Sequence, residues 1–235
     1  MLSVDEFVPE PASGRRISMP TTVRLSDTTP EGAWRLDGIA RVLQDVATED
    51  YEATGLRSEV AWVARRTALR SVGTWPRLYD ELRAVTWCSG FGAAWVERRT
   101  NVYRGDELVI ETATLWVPVD ARGFPQRMSR EFLEVYGEAI GGRKVSGRVP
   151  STSPPAHATR RPWPLRRADL DVVGHVNNAA VWQALAEVAT TPLRAAEVIH
   201  HGPIEFDHRV ELVADGGELW LLVNDEVHVA ALTVR

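Results

Sequence analysis

The chain repeats itself. Laid over itself with an offset of 142 positions, so that Gly32 falls on Gly174, Asp27 falls on Asp169, Leu43 on Leu185, Asp45 on Glu187, Val46 on Val188 and Ala47 on Ala189. Further along, "RGDELVIETATLWV" shares turn and strand phase with "VNDEVHVAALTVR". Any two amphipathic strands look alike, so the weight rests on the shared turn glycine and the helix phase that follows it. Whatever one half folds into, the other half must fold into as well.

In the first half, residues 1–20 are rich in Pro, Ser and Gly and read as an N-terminal arm. "TTVRLSD" alternates as a strand does, and Gly32 marks a turn. Ile39, Val42, Leu43 and Val46 then recur at helical spacing, and Gly55 stops a helix over about 36–54. Strand-like runs follow: "VAWVARRTALRSV", "ELRAVTWCSG", "AAWVERRTNVYR" and "ELVIETATLWVPVD", the last two joined by the hairpin turn "YRGDEL". A Gly/Ser/Pro-rich connection over 141–160 resets the pattern. "RPWPLRRAD" is again strand-like, a turn holds Gly174, a helix is expected over about 176–197, and three strands close the chain. The predicted fold is α+β: two tandem hotdog units, each a long helix wrapped by an antiparallel β-sheet. They occupy 21–140 and 161–235.

A length of 235 residues with 44% hydrophobic and 25% charged residues is ample for a buried core. A net charge of -5 argues against nucleic acid or a membrane surface as partner. One cysteine, Cys88, excludes an internal disulfide or a thiolate metal site, and the six histidines show no metal-binding spacing. No apolar run is long enough to span a membrane, and the N-terminus lacks the pattern of a signal peptide. A cytoplasmic protein without metal or cofactor is expected.

The chemistry is concentrated in "DLDVVGHVNNAAVWQALAE", from Asp169 to Glu187. Gly174 permits a tight turn, and Asn177 or Asn178 can cap the helix behind it. Unpaired N–H groups at that helix start are suited to stabilising an oxyanion. An upstream acid can activate water or attack directly, and His175 can orient it or move a proton. The same residues also make a good turn and cap with no catalysis, and residues alone leave both readings open.

This stretch resembles the second-repeat signature of the acyl-ACP thioesterases, approximately D-x-D-x-N-x-H-V-N-N-x-x-Y-x-x-W-x-x-E. Asp169, Asp171, His175, Val176, Asn177, Asn178 and Glu187 stand where that pattern wants them. The similarity extends along nearly the whole chain, through "VRLSDTTPEGAWRLDGIARVLQDVATEDYEATGL" and the strands "WVARRTALRS" and "ELVIETATLWVPVD". It implies hydrolysis of fatty acyl thioesters carried by acyl carrier protein, or alternatively by CoA, in fatty acid biosynthesis. It further implies that Asp171 is the acid, that His175 is its polar partner, and that the backbone N–H near Asn178 forms the oxyanion hole. Asn177, Glu187 and Glu205 are the substrate-binding candidates.

The chain departs from the family at Val173, where an asparagine is usual, and at Arg209, where a later acid falls. Either Asp171 and His175 suffice, or the protein binds acyl thioesters without cleaving them. Position 29, the repeat partner of Asp171, is threonine, so the first unit is expected to supply the acyl pocket instead. Trp34, Trp62, Trp87, Trp95 and Trp116 are its candidate wall residues. A hotdog dehydratase is disfavoured, since His175 lies six residues from Asp169 and four from Asp171. The pairs Arg65-Arg66, Arg160-Arg161 and Arg166-Arg167 are candidates for meeting an acidic carrier. The fused units can stand alone or pair again as a homodimer.

Overall fold

The computed structural model describes residues 7–56, 61–189 and 191–234. The first six residues of the expected arm and Val60, which opens a predicted strand, lie outside them. Among the described residues, ten strands form one antiparallel sheet, with three α-helices. The strands are β1 (Arg16–Thr22), β2 (Ala61–Ser71), β3 (Glu81–Phe91), β4 (Val96–Arg104), β5 (Glu107–Val119), β6 (Thr159–Pro162), β7 (Ala195–His200), β8 (Val210–Asp215), β9 (Glu218–Val223) and β10 (Glu226–Val234). The helices are α1 (Leu36–Glu52), α2 (Arg130–Ile140) and α3 (Asn178–Ala186).

The spatial order is β1-β3-β4-β5-β2-β7-β10-β9-β8-β6. Read inward from either edge, each half presents its first, third, fourth, fifth and second strand. The halves join where β2 pairs antiparallel with β7, Arg66 facing Ile199 and Arg70 facing Ala195. The Arg66 guanidinium also pairs with the buried Glu197 carboxylate across this seam.

The offset of the sequence reappears in the hydrogen bonds ahead of α1 and α3. Thr29 N–H donates to Ala33 O and Asp171 N–H to His175 O, each at 2.8 Å. Arg35 N–H donates to Asp27 O and Asn177 N–H to Asp169 O, again each at 2.8 Å. Gly32 and Gly174 take φ of 80° and 83°, the left-handed region that glycine enters without a Cβ clash.

The α1 helix buries Leu36, Ile39, Ala40, Leu43 and Val46 along one stripe. Of these, Leu36, Ile39, Ala40 and Leu43 meet Val181, Ala184 and Leu185 of α3 and the apolar faces of both half-sheets in one core. Gln183 Nε2 of α3 donates to Asp37 Oδ2 near the start of α1 at 3.4 Å.

Several boundaries differ from the sequence reading. The arm is shorter, because β1 already begins at Arg16 and pairs with β3. "TTVRLSD" contributes only the end of β1 and a single 3-10 turn over Leu25–Asp27. "RPWPLRRAD" likewise yields the end of β6 and a 3-10 turn over Arg167–Asp169, since Pro162 and Pro164 cannot donate to a ladder. The second helix is not long: it stops at Ala186, and residues 195–200 are strand β7. Pro192 cannot continue a helix, and the β-branched Val198 and Ile199 gain partners on both β2 and β10. The α2 helix was not anticipated. It starts where Ser129 Oγ accepts from Phe132 N–H at 3.1 Å and ends at Gly141, φ 59°.

Candidate active site

The turn between Asp171 and His175 is held by the Asp171 carboxylate itself. Its Oδ1 accepts from Val173 N–H at 3.0 Å and from His175 N–H at 3.2 Å. This spends one carboxylate oxygen on the backbone and leaves the other for chemistry. Asn177 caps α3, its side-chain oxygen accepting from Ala179 N–H at 2.8 Å. Asn178 is the first residue of α3, where backbone N–H groups have no intrahelical acceptor and the helix dipole is positive.

Asp171 and Asn178 both line a cleft of about 610 Å³. Its opposite wall is the face of α1 carrying Gln44, Ala47, Thr48, Tyr51 and Glu52. Leu56, Trp62, Val96, Arg98, Trp116 and Phe132 complete it. One half of the chain thus brings the acid and the helix start, and the other brings most of the walls. A second cavity of about 420 Å³ lies beside the first and shares Tyr51, Leu56, Trp62 and Phe132 with it.

The other candidate residues are placed differently. His175 is half-buried, is not among the residues lining the cleft, and reaches Asp171 through its backbone N–H. Its backbone also bridges to Glu205. Glu205 is exposed, and its ligand atom lies within 4.8 Å of those of Asp207 and His208. The His208 Nδ1 of that group already accepts from Glu205 N–H at 3.1 Å. Glu187 sits at the far end of α3 and pairs with Arg161 at 3.3 Å. Of the five candidate tryptophans, Trp62 and Trp116 line the cleft. Trp34 and Trp87 are buried, and Trp95 donates to Val145 O at 2.9 Å.

Sequence reasoning missed Gln44, Thr48 and Glu52, which repeat every fourth residue along α1 and so share one face. That spacing was legible, but nothing in the first half marked this face as part of a site.

Behind the wall lies a buried ionic cluster. Asp50, 1% exposed, accepts from Arg15 Nε and from Arg98 Nη1, each at 2.7 Å. Burial works against the Arg98 charge, but the Asp50 carboxylate beside it favours the charged form and its pKa is raised. Burial pushes the neighbouring Cys88 thiol up to about 11, so it stays protonated.

The first half of the chain, residues 16–136, matches the family model of the acyl-ACP thioesterase N-terminal domain, and residues 152–227 match that of the C-terminal domain. The chain belongs to the acyl-ACP thioesterase family. It is a thioester hydrolase acting on fatty acyl thioesters. Two Mycobacterium tuberculosis proteins described as uncharacterized, MT2057 and Rv2001, are each 27% identical over 242 residues, spanning 97% of this chain and 96% of theirs. Among solved structures, a putative oleoyl thioesterase from Lactobacillus plantarum superposes with a TM-score of 0.79 at 16% identity, covering 95% of this chain and 98% of that one. The 12:0-ACP thioesterase from Umbellularia californica gives 0.79 at 16% identity, with 93% and 96% covered. These two likenesses establish the shared fold. Among the described residues, no helix is long and apolar enough to cross a membrane.

Proposed function

We propose that the chain is two tandem hotdog units, about 21–140 and 161–235, sharing one active cleft, and that it cleaves acyl chains from acyl carrier protein. The mirrored strand order of the two halves supports the first part. The observation that carries the chemistry is that Asp171 and Asn178 open on one cleft with an aromatic wall from the other half.

In this reading the free Asp171 oxygen takes a proton from water as the water adds to the thioester carbon. The oxyanion so formed is held by the Asn178 N–H and the positive end of α3. The C–S bond then breaks, and the thiolate recovers the proton from Asp171. Free fatty acid and carrier thiol are the products, and no cofactor takes part. A thioester is already activated, so one positioned carboxylate with an oxyanion hole suffices. His175 serves here through the N–H that holds the Asp171 carboxylate. Asn177 serves through the cap that fixes α3, and the reaction is built without Glu187 and Glu205.

The carrier assignment rests on the family and on the rim of the turn. Val172 and Val173 are exposed, as is Phe206, over which the Arg167 guanidinium lies at 4.9 Å. Arg209 is exposed and lines one surface hollow with Phe206. An apolar rim flanked by arginines suits an acidic carrier, and the same reading places the work in cytoplasmic fatty acid biosynthesis. The other arginine pairs carry less of this, since Arg66, Arg160, Arg161 and Arg166 already face carboxylates.

Thiol release from matched acyl-ACP and acyl-CoA decides the matter. Faster turnover of acyl-ACP is expected, with the advantage shrinking as salt shortens the Debye length to about 8 Å at 0.15 M. Equal, salt-independent rates would remove the carrier assignment. Binding without turnover on either carrier would make this an acyl-thioester-binding protein.

A further inference from the structure

Gln44 of α1 lines the cleft opposite Asp171 and the start of α3. Gln183 of α3 meets Asp37 of α1, whereas Asn178 shares the cleft with Gln44 and Ala47. The two helices, packed on one another in the core, therefore run in opposite directions. At 1.5 Å per residue, Asn178 lies about 7.5 Å back along α3 from the Gln183–Asp37 contact, and Gln44 about 10.5 Å forward along α1. Gln44 is thus level with the start of α3 to within about 3 Å. Packed helix axes lie about 8–10 Å apart, so a carboxamide from one and an N–H at the end of the other can meet on one atom between them. The next polar residue of this face, Thr48, is a full turn further away and exposed.

The oxyanion position is short of donors. Asn177 N–H donates to Asp169 O, Ala179 N–H to the Asn177 side chain and Ala180 N–H to Asn177 O. Between them, the Asn178 N–H has no acceptor among the described residues. Oxyanion holes combine several such donors, backbone N–H groups or amide side chains. The turn offers no second one, because position 173 is an exposed valine and His175 does not line the cleft. Gln44 is half-buried, and its carboxamide makes no hydrogen bond to a described residue. Both of its N–H donors are uncommitted.

The repeat separates packing from chemistry. Under the 142-residue offset the counterpart of Asp171 is Thr29, and the counterpart of Gln44 is Ala186. Alanine at 186 shows that the helix phase needs no amide there. Acid and amide are present together in one copy of the site and missing together in the other.

We propose that Gln44 is a further catalytic residue, its Nε2–H the second donor of the oxyanion hole, supplied by the half of the chain that lacks the acid. This rests on the reading that the thioester carbon sits at Asp171 and Asn178. As water adds and Asp171 takes its proton, the carbonyl π pair moves onto oxygen. The Asn178 N–H and the Gln44 Nε2–H hold that oxygen from two sides. When the pair returns, the C–S bond breaks, and neither donor has given up its proton.

The test uses the full chain with octanoyl thioesters of acyl carrier protein and of CoA. Gln44→Met keeps length and helix propensity and removes the donors. It should lower kcat about 10²–10³-fold, the scale of losing one oxyanion donor, with KM within about 3-fold of the parent and Tm unchanged. Gln44→Glu has the same shape but only accepts, and should lose at least as much. Two unreactive octanoyl-CoA analogues report binding by calorimetry. With CH₂ in place of sulfur the carbonyl stays planar; with CF₂ it hydrates to a tetrahedral diol. The parent should prefer the CF₂ analogue, and Gln44→Met should cut that preference about 5-fold or more, the scale of one net hydrogen bond.

Parental kcat in Gln44→Met overturns the assignment, as does an unmoved CF₂ preference. Parental turnover in Gln44→Glu shows an acceptor role and overturns it too, and so does a loss of kcat that only follows Tm. If Asp171→Asn keeps parental turnover while Gln44→Met loses it, the Asp171 reading fails and the Gln44 donor stands. If the reverse holds, the Gln44 donor fails and the Asp171 reading stands. If the parent turns over neither carrier, the CF₂ preference and its loss in Gln44→Met decide alone.

Discussion

Replacing Asp171 with asparagine separates its two duties. The Oδ1 atom organises the turn by accepting from the Val173 and His175 N–H groups at 3.0 and 3.2 Å. An asparagine carbonyl can accept both bonds, so Asp171→Asn should cost at most about 0.5 kcal/mol. It removes the charged oxygen that takes the proton, and general-base removal lowers rates by about 10²–10⁴-fold. Asp171→Ala should abolish turnover to the same degree and also lose both turn bonds. At about 1 kcal/mol each that is about 2 kcal/mol, or roughly a 4–8 °C drop in Tm for a chain of this size. The assay is kcat/KM by thiol release, run beside thermal unfolding, for parent and both variants. A folded Asp171→Asn protein that keeps parental turnover would refute the mechanism and leave Asp171 as a turn former. So would alanine and asparagine variants that lose activity only in proportion to stability.

Two further outcomes concern the scaffold. Asn177→Ala removes the cap on Ala179 N–H and should cost about 1 kcal/mol by denaturant titration, with the loss of turnover secondary to it. Burial of His200, with the Arg65 and His201 charges, lowers its pKa from 6.5 to about 4. The unfolded chain therefore binds this proton first as pH falls. The stability that neutral His200 contributes is complete above 6.5 and is lost between there and about 4. The slope is at most about 1.4 kcal/mol per pH unit. His200→Asn should flatten that part of the profile; an unchanged profile would show that other groups set it.

The repeat and the α+β class were legible because a turn glycine and a helix phase leave marks at fixed positions. The Asp171 turn was legible for the same reason, since Asx chemistry and a cap need particular residue types close in sequence. The extent of α3 was not. Pro192 bars a helix from running on to Glu197, but the pairing with β2, more than a hundred residues earlier, that takes this run for the sheet leaves no local mark. The cleft was half legible. Threonine at position 29 suggested that the first half supplies walls, but which tryptophans face the cleft depends on strand register and the placement of α2. The Arg98–Asp50 pair was invisible, because its partners are 48 positions apart and neither stands in a motif.

The sheet order carries a consequence for solubility. Pairing β2 with β7 leaves the sheet, among the described residues, two open edges, β1 and β6. Each edge strand contains one proline, Pro20 facing Arg83 and Pro162 facing Glu211, and these two prolines are again 142 positions apart. A proline cannot donate to an incoming strand, so both edges are poor templates for the edge-to-edge association that leads to aggregation. Expressing either half on its own would undo this protection. It would free β2 and β7, whose inner edges carry no proline, and each half would present a sticky strand to its neighbours.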